Sequence, residues 1–184
     1  MLTREQAFLE IQSRIPNVNL QKHMIAAEAI MRELARHFGE DPDRWGLSGL
    51  LHDIDYNETA KDPKRHSLLG YEILKQLGVD EDIAYAVKVH NEVHGLPRLS
   101  LMDKALYAAD PTTGLIVAAA LILPQKKLHL VTTDFLMKRF HEKGFARGAD
   151  RTVIASCSEL GLSLEEFFTL SLQGMMKFQS ELGL

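Results

Sequence analysis

This sequence predicts an all-α fold, and three observations carry that expectation. Apolar residues recur at helical spacing almost everywhere along the chain. No run alternates apolar and polar residues as a half-buried strand does. Helix-start signals, a Ser, Thr, Asn or Asp followed by proline or by an acidic or amide residue, recur between the apolar stretches.

The elements follow in order. Thr3 with Gln6 makes a capping box that opens a short first helix. Asn17 or Asn19 caps a long second helix ending at Gly39, with Leu20, Met24, Ala27, Met31, Leu34 and Phe38 on one face. Asp41-Pro42 pairs a cap with proline at the first helical position, and that helix runs to about His52. Asp62-Pro63 repeats the device before a helix ending near Leu77-Gly78, and Asp80 caps the next one. Ser100 with Asp103 starts another, which is expected to break near Asp110 because Pro111 follows. Helices over Thr133 to Lys143 and Asp150 to Leu160 come next, and Ser163 with Glu166 forms the capping box of the last. Pro124 to Leu130 is the best hinge, dividing a helical region 1–124 from a C-terminal helical extension 125–184 packed on it, unless 1–184 forms one unit.

Composition narrows the class. A chain of 184 residues with 46% hydrophobic and 25% charged residues buries a real core without disulfides. The single cysteine, Cys157, lies in a helical segment and fits a packing role in a reducing compartment. The formal charge of −4, with no run of Lys or Arg, argues against a nucleic-acid polymer as partner. The start, Met1-Leu2-Thr3-Arg4-Glu5-Gln6, is mostly polar and lacks the apolar core of a signal peptide. The longest apolar run, Gly114 to Leu123, is about half the roughly 20 residues that span a bilayer. The expectation is a cytoplasmic protein with no membrane contact.

The chain has eight histidines, and their neighbours separate them. His66 begins the stripe Leu69, Gly70, Ile73, Leu74 and Leu77; His90 and His94 extend the stripe Ile83, Ala86, Val87; His23 shares a face with Ala27, Ile30 and Leu34. One inward histidine is usually a hydrogen-bonded core residue, but several together point to a shared ligand. His37 lies about 21 Å beyond His23 at roughly 1.5 Å per residue, too far to share its site, and His129 and His141 sit among charged residues.

The acids sharpen this. His52-Asp53 follows Leu47, Leu50 and Leu51 at a helix end, and Asp110 follows Leu106 to Ala109 where Pro111 is expected to end the helix. At helix C-termini the macrodipole disfavours each carboxylate by about 0.3–1 kcal/mol, and apolar neighbours make an unpaired one costly. No Lys or Arg lies within three residues of Asp53, although Lys104 lies upstream of Asp110. A metal bound by imidazole nitrogen and carboxylate oxygen offsets both penalties.

The order His23, His52-Asp53, Asp110, with the strings Leu50-Leu51-His52-Asp53-Ile54-Asp55 and Leu106-Tyr107-Ala108-Ala109-Asp110, resembles the signature of the HD-domain superfamily of metal-dependent phosphohydrolases. The resemblance implies an all-α bundle with a central site in which His23, His52, Asp53 and Asp110 hold a divalent transition metal, iron or manganese favoured. Some members add two histidines and a second ion bridged by the central aspartate, and His66 and His90 match those positions. The sequence also looks like bacterial HD hydrolases of similar length that cleave dinucleoside tetraphosphates. The segment His90-Asn91-Glu92-Val93-His94-Gly95-Leu96-Pro97 departs from the adjacent histidines and Gly-Tyr-Pro triplet of the larger signalling phosphodiesterases, which argues against a cyclic dinucleotide substrate. His94, a helical turn from His90, is either a ligand or a support.

The implied reaction is hydrolysis of a nucleotide or other small phosphate ester by metal-activated hydroxide. With two ions Asp53 bridges them; with one, His66 or His90 acts as base or holds the phosphate. Charge on the phosphoryl oxygens calls for cations, and the candidates are Lys126, Lys127, Arg147 and Arg151. The alternatives are an HD-type di-iron oxygenase and a non-catalytic metal-containing ligand-binding module.

Overall fold

The computed structural model describes residues 2–184, which form helices and turns with no strand among them. The first helix, α1 (Arg4–Arg14), opens on the reciprocal capping box of Thr3 and Gln6. In α2 (Val18–Phe38) the side chain of Asn17 accepts from the N–H groups of Asn19 and Leu20, and the helix closes on Gly39 at φ 72°. Every residue of α2 from Met24 to Met31 is buried, Glu28 included. A helix apolar on all sides must be covered on all sides. That makes α2 the axis of the molecule.

The remaining helices are α3 (Pro42–Leu51), α4 (Tyr56–Thr59), α5 (Leu68–Gln76), α6 (Glu81–Val89), α7 (Leu101–Leu121), α8 (Thr133–His141), α9 (Arg151–Ala155), α10 (Leu164–Lys177) and α11 (Gln179–Leu182). α2 packs against α3, α7, α10 and α11, and α6 bridges α3 and α7. One buried apolar cluster runs from Ala7 to Leu182 and takes in Cys157. Leu128, fully buried in the 125–130 segment, anchors the expected hinge to that core. No described helix is long and apolar enough to cross a membrane.

Three local expectations are corrected. Pro111 lies inside α7 and does not end it. Its missing N–H leaves the Tyr107 carbonyl without the usual helical donor, but residues on both sides of it, from Met102 to Ala120, are buried against other helices. Packing outweighs local propensity there. Asp110 is therefore a mid-helix residue, and the macrodipole penalty expected of it does not apply.

Asp62-Pro63 does not start a helix either; the Asp62 carbonyl closes turns with the N–H groups of Arg65 and His66. The helix begins at Leu68, after Ser67 at φ 68°, and its cap comes from elsewhere: Asp55 Oδ2 accepts from the N–H groups of Ser67 (2.8 Å) and Gly70 (2.9 Å). His66 thus precedes its helix, and His90 and His94 follow theirs. Asp80 precedes α6 as expected, yet its carboxylate makes no cap and pairs instead with Arg44 (2.5 Å).

The crossing of α2 and α3 is close enough to require glycine. A Cβ on Gly49 would stand 2.7 Å from the backbone of Ala27 and Glu28. No flexible side chain can yield there, because the obstructing atoms are backbone. On the far side of α2, a Cβ on Gly174 would come within 2.4 Å of the Ala29 carbonyl, so α10 is seated as closely. Glu28, buried at the same level, is neutralised by Arg4 (2.7 Å) and Arg32 (2.8 Å), which join α1 to α2. We expect Gly49→Ala to destabilise the protein by about 1–3 kcal/mol, the range for overpacking a tight core contact, read as a lower denaturation midpoint in urea. A midpoint equal to wild type would mean that the helices separate at no cost.

Candidate metal centre

The closeness of α2 and α3 brings His23, in the second turn of α2, against His52, which caps the C-terminus of α3. Their Nε2 atoms lie 3.1 Å apart. From α7, Asp110 places Oδ1 at 3.1 Å from His23 Nε2 and 3.6 Å from His52 Nε2. Asp53 places Oδ2 at 3.6 Å from both of those nitrogens. Its other oxygen, Oδ1, faces a second pair, 3.4 Å from His66 Nε2 and 3.7 Å from His90 Nε2. The rings form a chain, His23 to His52 to His90 to His66, with centroids 4.9, 5.2 and 5.0 Å apart.

The far nitrogen of each ring is tied down. His52 Nδ1 donates to the Gly49 carbonyl (2.8 Å) and His90 Nδ1 to the Val87 carbonyl (2.6 Å). Carbonyls only accept, so the protons of these two rings sit on Nδ1 and leave an Nε2 lone pair in the neutral form. His66 Nδ1 lies 3.0 Å from Asp55 Oδ1, a carboxylate that imposes the same tautomer. Thr113 gives its own proton to the Asp110 carbonyl (2.7 Å), so its oxygen is left to accept from His23 Nδ1 (2.8 Å). Asp110 and Thr113, three apart on α7, thus hold one imidazole by both nitrogens.

These lone pairs converge on carboxylates against a buried inner wall, with His23 and Asp110 at the partly exposed edge. His52 is fully buried, and His90 and Asp53 are nearly so. Burial disfavours charge on His52, but Asp53 and Asp110 outweigh it and carry the imidazole pKa up to about 9. His66 is likewise raised: burial opposes, and the bond to Asp55 with the charges of Asp53 and Asp55 prevails. Burial acts to raise Asp53 and Asp110, yet the histidines around them hold both carboxyls below the usual range. Such a centre calls for positive charge on the Nε2 side, as protons or as metal. The donor set fits metal. Atoms bound at about 2.1 Å to one ion stand roughly 3.0–3.4 Å apart, close to the 3.1–3.6 Å separations of His23, His52, Asp53 and Asp110. Two triads, His23-His52-Asp110 and His52-Asp53-His90, have atoms near enough to share an ion.

Asp55 is the residue that sequence reasoning left without a role. It is fully buried and serves two ends at once, capping α5 and orienting His66. Its signal was a second carboxylate in the apolar run after Asp53, again with no cation beside it in sequence. His94 is a support: its Nε2 donates to the His66 carbonyl (2.7 Å), which Asn91 also reaches (3.1 Å).

The proposed phosphate-binding cations lie elsewhere. Lys126 and Lys127 are exposed, and the cavity that Lys127 lines touches none of the clustered histidines and aspartates. Arg147 is exposed beside Gly148, which lines a cleft of about 260 Å³ reaching His66, His90 and Asp110. Arg151 is occupied by the carbonyls of Arg139, Phe140, Phe145, Ala146 and Ala149, and so holds the 139–149 segment in place. The cleft itself carries Glu92 and Asp150 and no Lys or Arg.

The family model described as HD domain matches residues 20–120, which include every residue of this centre. Ribonuclease Y of Lawsonia intracellularis is 29% identical over 83 residues, 45% of this chain and 16% of that protein. Ribonuclease Y of Nitratidesulfovibrio vulgaris is 29% identical over 96 residues, 52% of this chain and 18% of that one. An uncharacterized protein of Methanocaldococcus jannaschii is 32% identical over 87 residues, 45% of this chain and 50% of that one. The chain therefore spans under a fifth of the length of the ribonucleases and half of the archaeal protein.

We expect Asp55→Ala to cost roughly 2–4 kcal/mol in stability, since it leaves two buried N–H groups without an acceptor. It should also lower metal content by freeing His66. Asp55→Asn keeps an acceptor for α5 and should lose less stability while still impairing metal uptake. Thermal unfolding and elemental analysis read the two effects separately, and unchanged metal content in both variants would remove Asp55 from the centre.

Proposed function

The chain belongs to the HD domain family, in the superfamily of metal-dependent phosphohydrolases, and on that premise we propose that it hydrolyses a small phosphate ester using two divalent transition metal ions, iron or manganese favoured. The observation that carries this is the division of Asp53. One of its oxygens faces His23 and His52, the other His66 and His90. In this reading His23, His52 and Asp110 with Asp53 would hold one ion. His66 and His90, also with Asp53, would hold the second. When bound, such ions lower the pKa of water, so that hydroxide is at hand near neutral pH.

The chain's own groups do the rest. The Nδ1 partners keep each imidazole in one orientation, with a lone pair turned inward. Ligands fixed in advance need no reordering when substrate arrives. The centre is closed on its inner side by His52 and His90, and its open side lies at His23 and Asp110, whose side chains are 26% and 33% exposed. A phosphate ester can approach from that side, and the cleft lined by His66, His90 and Asp110 reaches the centre as well. The name Ribonuclease Y refers to cleavage of ribonucleic acid by those relatives, and phosphoester hydrolysis is the chemistry carried over here. A small ester suits this chain better than a polymer, because its charge is −4 and the cleft beside Asp110 is acidic.

Metal analysis of wild type, His66→Ala and His90→Ala, with bis(p-nitrophenyl) phosphate and p-nitrophenyl phosphate assayed in air and without oxygen, tests the reading. We expect two ions per chain in wild type, one in each variant, and hydrolysis indifferent to oxygen. One ion in wild type, kept in both variants, would leave His66 and His90 as base or phosphate-holding groups. Strict dependence on oxygen would assign the centre to oxygenase chemistry. Asp53→Ala should abolish hydrolysis and metal binding together, and a variant that kept full activity would end the proposal.

A further inference from the structure

The cavity on the other side of the centre is larger, about 420 Å³, within the usual range for small-molecule sites. His23 and the Thr113 that holds its Nδ1 line it, and His23 is the one residue of the centre that it touches. Its walls are Val117, Leu121 and Leu182, and Leu121 is 48% exposed although it lies on a helix otherwise well packed. Lys22, half-buried beside His23, also lines it, and its ammonium group meets no carboxylate among the described residues. Nζ lies over Gly183, 3.0 Å from where a Cβ there would stand.

Gly114 adds an independent sign. It sits inside α7, where glycine weakens a helix relative to alanine. A Cβ there would meet nothing within 4 Å, so no close packing contact requires the glycine. Gly114, Val117 and Leu121 share one face of α7, and that face is the cavity wall. What the glycine preserves is open space next to His23.

We propose that this cavity receives the organic group of the substrate, with Lys22 attracting its phosphate, and that the chain therefore prefers phosphate esters of flat or apolar groups over those of small polar ones. The inference rests on the phosphohydrolase reading above for its orientation toward the metal centre. Lys22 supplies the cation that the acidic cleft beyond Asp110 lacks. Val117, Leu121 and Leu182 offer contact area but no hydrogen bonds, which favours an aromatic or aliphatic moiety.

The test is calorimetric binding of phenylphosphonate and methylphosphonate to the metal-loaded protein, beside hydrolysis of phenyl phosphate. Wild type should bind phenylphosphonate at least about tenfold more tightly, a difference within reach of a buried apolar group. Lys22→Ala should weaken both ligands by about tenfold, the loss of one charge-assisted contact. Gly114→Leu should abolish the preference for the phenyl compound by filling the cavity, and Gly114→Ala should raise the melting temperature, since a Cβ there meets nothing within 4 Å. Equal binding of the two phosphonates, no binding of either, or a preference that survives Gly114→Leu would overturn the inference. Hydrolysis of phenyl phosphate without any preference would sink the cavity assignment and leave the hydrolase reading standing. Preference without hydrolysis of any ester would do the reverse.

Discussion

The centre depends on one steric fact: α2 and α3 touch backbone to backbone at Gly49. With no side chain between them, the helices cross closely enough for His23 and His52 to bring their Nε2 atoms to 3.1 Å. The same glycine supplies the carbonyl that fixes the His52 tautomer. A bulkier residue there would move His23 and His52 and loosen the anchor of one. The close seat of α10 at Gly174 holds α2 from the opposite side, so the axis cannot retreat from the strain. The precision of the centre is thus a property of core packing, which changes in steps and not by smooth deformation.

Electrostatics then determines what the centre is for. Asp53 is buried with two imidazoles facing each oxygen, an arrangement that stabilises the carboxylate only if positive charge resides between the partners. Protons on the imidazoles meet the need in part, which is why His52 is drawn up to about 9. Metal meets it without disturbing the Nδ1 anchors, because those bonds stay in place when Nε2 gives up its proton. The supporting layer is therefore neutral to the exchange. It holds the rings in the same place in either state.

The two cavities beside the centre differ in kind. One carries Glu92, Asp150 and the hydroxyl of Tyr107, and the other carries Lys22 with an aliphatic wall. The two sides of the candidate centre therefore differ in charge, with Glu92 and Asp150 near Asp110 on one and Lys22 near His23 on the other. Arg151 contributes to this only by holding the 139–149 backbone, having spent its donors on carbonyls.

The sequence alone determined the helical class, the start of α1, α2, α3, α7 and α10 at their local caps, and the set of histidines and acids that meet in the centre. Those features are local: a cap lies within three residues of the N–H it serves, and a stripe repeats every turn. Tertiary structure decided the rest. Pro111 reads as a stop, yet burial on both sides carries α7 through it and makes Asp110 a mid-helix residue. Asp62-Pro63 reads as a start, yet Asp55, eleven or more residues from the groups it serves at His66, Ser67 and Gly70, sets where α5 begins and which way His66 turns. Both errors have the same physical origin: the partner that outweighs the local preference is distant in the chain, and only folding brings it within a hydrogen bond.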